Sequence, residues 1–143
     1  LTRLHTGTVA PGFEIPDREK KMVRLADFKG KAVMLIFWTA YCQECIAIME
    51  KIKPLADQFA DRVQFVSISA DKSFSKMNMF LKMKKNFTWT FLHIGESIDL
   101  LKDYNVRSYP LLVLIDKDGM IYEYAAPLPG EGLEAEITKM LNP

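Results

Sequence analysis

Cys42 and Cys45 are the only cysteines in the 143-residue chain, and two residues separate them in WTAYCQEC. Thiols at that spacing can exchange a disulfide with a substrate, supply half of a metal site, hold a haem, or staple the chain. A zinc site needs about four ligands, and beyond the cysteines only His5 and His93 are on offer, neither in paired spacing. Covalent haem attachment wants a histidine directly after the second cysteine, where Ile46 stands. A staple closing so short a loop removes little entropy from the unfolded chain. The residues favour redox chemistry, without metal or cofactor.

The elements that must position the pair are legible around it. Every residue from 32 to 38 (AVMLIFW) is apolar, as in a central strand covered on both faces. Ile48, Ile52, Leu55 and Phe59 recur at intervals of four, three and four, which predicts a helix from about Cys42 to Ala60. Cys42 then stands where unpaired backbone amides and the positive end of the helix dipole favour a thiolate. A thiol there falls below its free value of roughly 8.5. Cys45 lies one turn further in on the same face, so Cys42 is expected to attack substrate and Cys45 to resolve the mixed disulfide. Pro54 removes one helical hydrogen bond and predicts a kink or an early end.

Elsewhere, 11–25 reads as two short strands around a polar turn at 17–20, 63–69 as a strand, 73–85 as a helix and 88–94 as a strand. Ser97 is placed to cap a short helix reaching Tyr104. Strands at 111–116 and 120–126 flank the turn Lys117-Asp118-Gly119, and Leu133, Ile137 and Leu141 mark a final helix. Strands alternating with helices predict a largely parallel central sheet with helices on both faces. Half the residues are apolar and the net charge is +1, which fits one domain with no general pull toward nucleic acid or anionic lipid. No apolar run approaches the roughly 18 residues of a membrane span. The lysine-rich 72–85 reads as a solvated helix face, and Met77, Met79 and Met83 as flexible core filler.

FWTAYCQEC resembles the FWAxWCxxC signature of thioredoxin-fold proteins, and YNVRSYPLLVLIDKDGMI resembles their segment around a cis-proline. APGFEIPD with VRLADFKGK is similar to the amino-terminal hairpin of the TlpA-like branch, the bacterial thiol-disulfide reductases related to ResA. That resemblance implies a thioredoxin-like α/β fold: a central mixed sheet flanked by helices, an N-terminal hairpin, and an extra strand and helix over 88–104. It makes Cys42 the nucleophile, Cys45 the resolving thiol and Pro110 a cis-proline facing them, with Trp38, Tyr41 and Tyr109 rimming the cysteines as substrate contacts. It further implies one domain over 1–143, cut from a longer exported precursor, monomeric, in the periplasm or cell envelope, with a possible membrane tether in the parent chain. Its partners would be protein or peptide thiols and disulfides and an upstream electron donor.

The chain departs from the pattern where related proteins carry a buried acid near the second cysteine, since Ile36 and Ile48 occupy those places. Glu44 between the cysteines opposes a Cys42 thiolate only if it points inward. Two other readings share the fold. A peroxiredoxin site reads PxxxTxxC, of which Thr39 and Cys42 are present while Leu35 replaces the proline. A binding module that keeps its cysteines as a weak redox switch is the other.

Overall fold

The computed structural model describes residues 5–143. Strands β1 (Glu14–Pro16) and β2 (Met22–Arg24) form the N-terminal hairpin, with Ile15 opposite Val23. The Asp17 carboxylate closes its turn by accepting from the amides of Glu19 and Lys21. Five further strands make the main sheet, β3 (Ala32–Trp38), β4 (Val63–Ser69), β5 (Thr90–His93), β6 (Leu111–Ile115) and β7 (Ile121–Tyr124), in the order β5-β4-β3-β6-β7. Pairings β3-β4 and β4-β5 are parallel, whereas β3-β6 and β6-β7 are antiparallel. The sheet is therefore mixed rather than largely parallel, because β6 starts beside the end of β3 instead of beside its beginning.

Helices α1 (Gln43–Gln58), α2 (Phe74–Met83) and α4 (Leu133–Leu141) cover one face of the sheet, where Met34, Ile36 and Trp38 meet Met49, Ile52, Met77, Leu81 and Ile137. The opposite face carries Val33, Leu35 and Phe37, covered by the hairpin residue Ile15 and by α3 (Asp99–Asp103) with Tyr104. Alternate residues of β3 thus feed alternate cores, which is why no position in that strand is polar.

Several local expectations change. Helix α1 continues through Pro54 to Gln58, because Ile52, Leu55 and Ala56 remain buried on both sides of the proline and packing outweighs one missing bond. Ser97 does not cap α3: Ile98 already has helical angles, and the first turn closes by backbone bonds from Leu100 and Leu101 to the carbonyls of Ser97 and Ile98. Ser73 does cap α2, its hydroxyl accepting from the Lys76 amide at 3.1 Å. Of the three methionines that the sequence assigns to the core, only Met77 is buried, while Met79 and Met83 face solvent.

Candidate active site

Sheet register gathers the site at one edge. Trp38 lies level with Ser69, Ser69 with His93, and Phe37 with Leu111. The segments leaving these rows, 39–42, 70–72 and 109–110, are brought to the same end of the sheet. For the antiparallel β6 this is its beginning, so the residues just before Leu111 arrive opposite the residues just after Trp38.

Cys42 is the N-cap of α1, with extended backbone angles and a sulfur that accepts from the Cys45 amide at 3.0 Å. It is half-buried and joined by a disulfide to Cys45, which is completely buried among Ile36, Ile48 and Met49. One helical turn thus separates a reachable sulfur from an unreachable one. The side chain of Glu44 is exposed, so water screens its charge from the cysteines.

The Cys42 sulfur lies 3.9 Å from the carbonyl oxygen of Tyr109, and the Tyr109–Pro110 peptide is cis. Tyr109 is partly buried and packs against both cores. Burial, then the negative charge of Asp71, raises its phenol above the ordinary value. Tyr41 is exposed beside Cys42. Trp38 differs from the sequence expectation: it is fully buried against Phe80 and Phe91 and offers no surface to a substrate. An inward β3 position next to two aromatic rings claims it for the core.

Asp71 is the residue that sequence reasoning missed. Its buried carboxylate accepts from the Ala40 amide at 2.9 and 3.2 Å and from the Ser69 hydroxyl. Its own amide donates to Ser69 Oγ at 3.1 Å. Buried His93 completes the group: its Nδ1 accepts from the Gly95 amide at 2.9 Å, so Nε2 is the nitrogen that donates to the Asp71 carbonyl at 2.8 Å. Asp71 therefore anchors, through Ala40, the three-residue loop that carries Cys42. The available signal was an acid two residues beyond an apolar strand, at the carboxyl end of a strand paired in parallel on both sides, where sites gather.

A CxxC pair opening a helix after the central strand, faced by a proline loop on a mixed five-stranded sheet, defines a thioredoxin-fold thiol-disulfide oxidoreductase. The AhpC/TSA family model matches residues 6–124, and the chain belongs to that family. A protein named thiol-disulfide oxidoreductase ResA, from Bacillus thuringiensis subsp. konkukian, is 31% identical over 142 residues, covering 98% of this chain and 79% of the relative. A putative thiol-disulfide oxidoreductase from Bacteroides vulgatus superposes with a TM-score of 0.91 at 28% identity, over 99% of this chain and 100% of the other. The exposed lipoprotein thioredoxin Etrx1 of Streptococcus pneumoniae gives 0.74 at 27% identity, over 92% and 98%. The peroxiredoxin reading gains nothing, since Leu35 is buried in mid-strand, where its pattern needs a proline.

Proposed function

We propose that this thiol-disulfide oxidoreductase reduces disulfides of proteins or peptides, with Cys42 attacking and Cys45 resolving. The carrying observation is the unequal burial of two sulfurs linked across the first turn of α1. In the reduced pair, the Cys42 thiolate displaces one sulfur of the substrate disulfide, which leaves as a thiolate and takes up a proton. Cys45, deprotonated, then attacks the Cys42 sulfur and releases the second substrate thiol. Two electrons pass to the substrate and the Cys42–Cys45 disulfide remains, which an external dithiol reduces back to the two thiols while itself becoming a disulfide. The Tyr109–Pro110 segment supports this reading as a platform for extended substrate: proline has no amide hydrogen of its own to offer, and the Tyr109 carbonyl faces the reactive sulfur. Tyr41 borders the same opening.

No helix among the described residues is long and apolar enough to cross a membrane. The resemblance to ResA-type proteins and to an exposed lipoprotein supports action in the bacterial cell envelope. The test is turnover of a small neutral disulfide by the chain, together with trapping: Cys45→Ser should accumulate a mixed disulfide at Cys42, whereas Cys42→Ser should form little. Equal trapping by both variants would sink the assignment of roles. The reduction potential sets the direction, since about 30 mV is worth roughly 1.4 kcal/mol for two electrons.

A further inference from the structure

Helix α2 buries Met77 and Leu81 and turns Met79 (67% exposed) and Met83 (83% exposed) to solvent. These two stand one helical turn apart, and Lys76 precedes Met79 by one turn. The Lys76 ammonium lies 5.0 Å from the centre of the Tyr41 ring, and Tyr41 is 70% exposed beside Cys42. Tyr41 holds the Lys76 pKa above its ordinary value, so the charge persists. One continuous line therefore runs from the reactive sulfur over Tyr41 and Lys76 to Met79 and Met83. At its start lies an open hollow of about 290 Å³ bounded by Thr39, Tyr41, Ala70, Asp71, Lys72 and Lys76. Asp71 sets one negative charge in the wall of the hollow, its oxygens turned to Ala40 and Ser69, against the two ammonium groups of Lys72 and Lys76, so the lining carries a net charge of +1.

Beyond Asp71, the segment that builds this line carries charge of a single sign. Residues 72–95 contain five lysines and no acid; since the whole chain carries +1, the remainder carries −4. Lys84 is paired with Glu50 at 2.9 Å, but among the described residues Lys72, Lys76, Lys82 and Lys85 form no ion pair. A merely solvated helix face carries interspersed signs and few exposed apolar groups. Methionine, flexible and polarizable, suits contact with varied apolar partners.

We propose that this face docks the segment flanking the reactive cysteine of a polypeptide substrate, a segment that is acidic and carries apolar side chains. Its carboxylates enter the hollow between Lys72 and Lys76, and its apolar side chains lie on Met79 and Met83. The line begins at the reactive sulfur itself, which selects a polypeptide held at Cys42 over a lipid surface. This inference rests on the thiol-disulfide reading and names the class of its substrate.

The experiment titrates the oxidised chain with labelled peptides in which serine replaces the reactive cysteine and glutamate, glutamine or lysine flanks it on both sides, with leucines beyond. The glutamate peptide should bind about fivefold tighter than the glutamine peptide at low salt, as expected for two or three exposed ion pairs. The advantage should vanish near 1 M salt, where screening acts within about 3 Å. Lys72→Glu with Lys76→Glu should invert the order in favour of lysine. Lys29→Glu with Lys102→Glu, which changes net charge equally from other faces, should preserve it. Met79→Ser with Met83→Ser should weaken all three peptides by a common factor. Equal binding of the peptides, equal effects of the two charge-reversal pairs, or salt-sensitive binding to phosphatidylglycerol vesicles without peptide discrimination would each overturn the proposal. Turnover of hydroxyethyl disulfide, measured in parallel, judges the redox reading separately. Its loss with the peptide order intact rejects that reading and upholds the docking face; its presence with the order lost rejects the docking face alone.

Discussion

Replacing Asp71 tests how the site is held. In Asp71→Ala the Ala40 amide and the Ser69 hydroxyl both lose a buried charged acceptor, and only the hydroxyl can rotate to another partner. A hydrogen bond to a charged group contributes roughly 1.5 to 3 kcal/mol, and an orphaned buried donor costs about 1 to 3. The expected loss is therefore about 2 to 4 kcal/mol. With a urea slope of about 1 to 3 kcal/mol per M, the unfolding midpoint should fall by roughly 1 to 2 M. Asp71→Asn keeps one oxygen for Ala40 and should lose about half as much. The anchoring role makes a second demand. Under conditions where Asp71→Ala is fully folded, attack of reduced Cys42 on a small disulfide should be slowed, because the loop from Thr39 to Tyr41 no longer fixes the helix start; Asp71→Asn should recover most of the rate. An ultraviolet titration adds a local readout: with the Asp71 charge gone, the Tyr109 phenol should fall toward its ordinary value while burial keeps it above. A midpoint within 0.5 M of the parent, or a rate unchanged in Asp71→Ala, would refute the reasoning.

Two further outcomes follow from burial and charge. Cys45 must ionise to resolve a mixed disulfide, and its neighbours Ile36, Ile48 and Met49 are apolar, so single-turnover release from Cys42 should accelerate with rising pH through the neutral range; a fast release independent of pH would point to a relay other than these residues. Burial, then the neighbouring Glu136 carboxylate, raises the Glu123 pKa, and one of its oxygens is buried without a partner among the described residues. A raised folded-state value means that the native state holds the proton more tightly, so stability is lost as pH climbs from the ordinary glutamate value through the raised one. Glu123→Gln should flatten that slope in denaturant titrations and stabilise the chain at pH 7; a variant with an unaltered slope would remove Glu123 as its source.

The sequence was most informative where one local rule acted alone. The unbroken apolar run from Ala32 to Trp38 located the strand that feeds both cores, and the spacing of Ile48, Ile52 and Leu55 put Cys42 at a helix start, where it is the N-cap. Tertiary choices were less legible. Trp38 carries an amphipathic ring suited to a rim, yet strand alternation directs it toward Phe80 and Phe91. Met79 fits helical spacing as well as Met77 does, but α2 buries only one side. Asp71 gains its meaning from the register of β4 against β3, which brings it to Ala40, 31 residues away in sequence. No local pattern encodes that approach.

Complete burial of Cys45 also sets the order of traffic through the domain. With the roles proposed for Cys42 and Cys45, any oxidant or reductant from outside must meet the same atom, the sulfur of Cys42, so acceptor and donor cannot be engaged together. The two half-reactions alternate in ping-pong fashion, and each partner competes with the other for a single doorway. Initial-rate plots at several fixed donor concentrations should run parallel, and an excess of either partner should inhibit the other's half-reaction. On that proposed route, specificity for substrate and for donor must be written on one face, by features that both of them share.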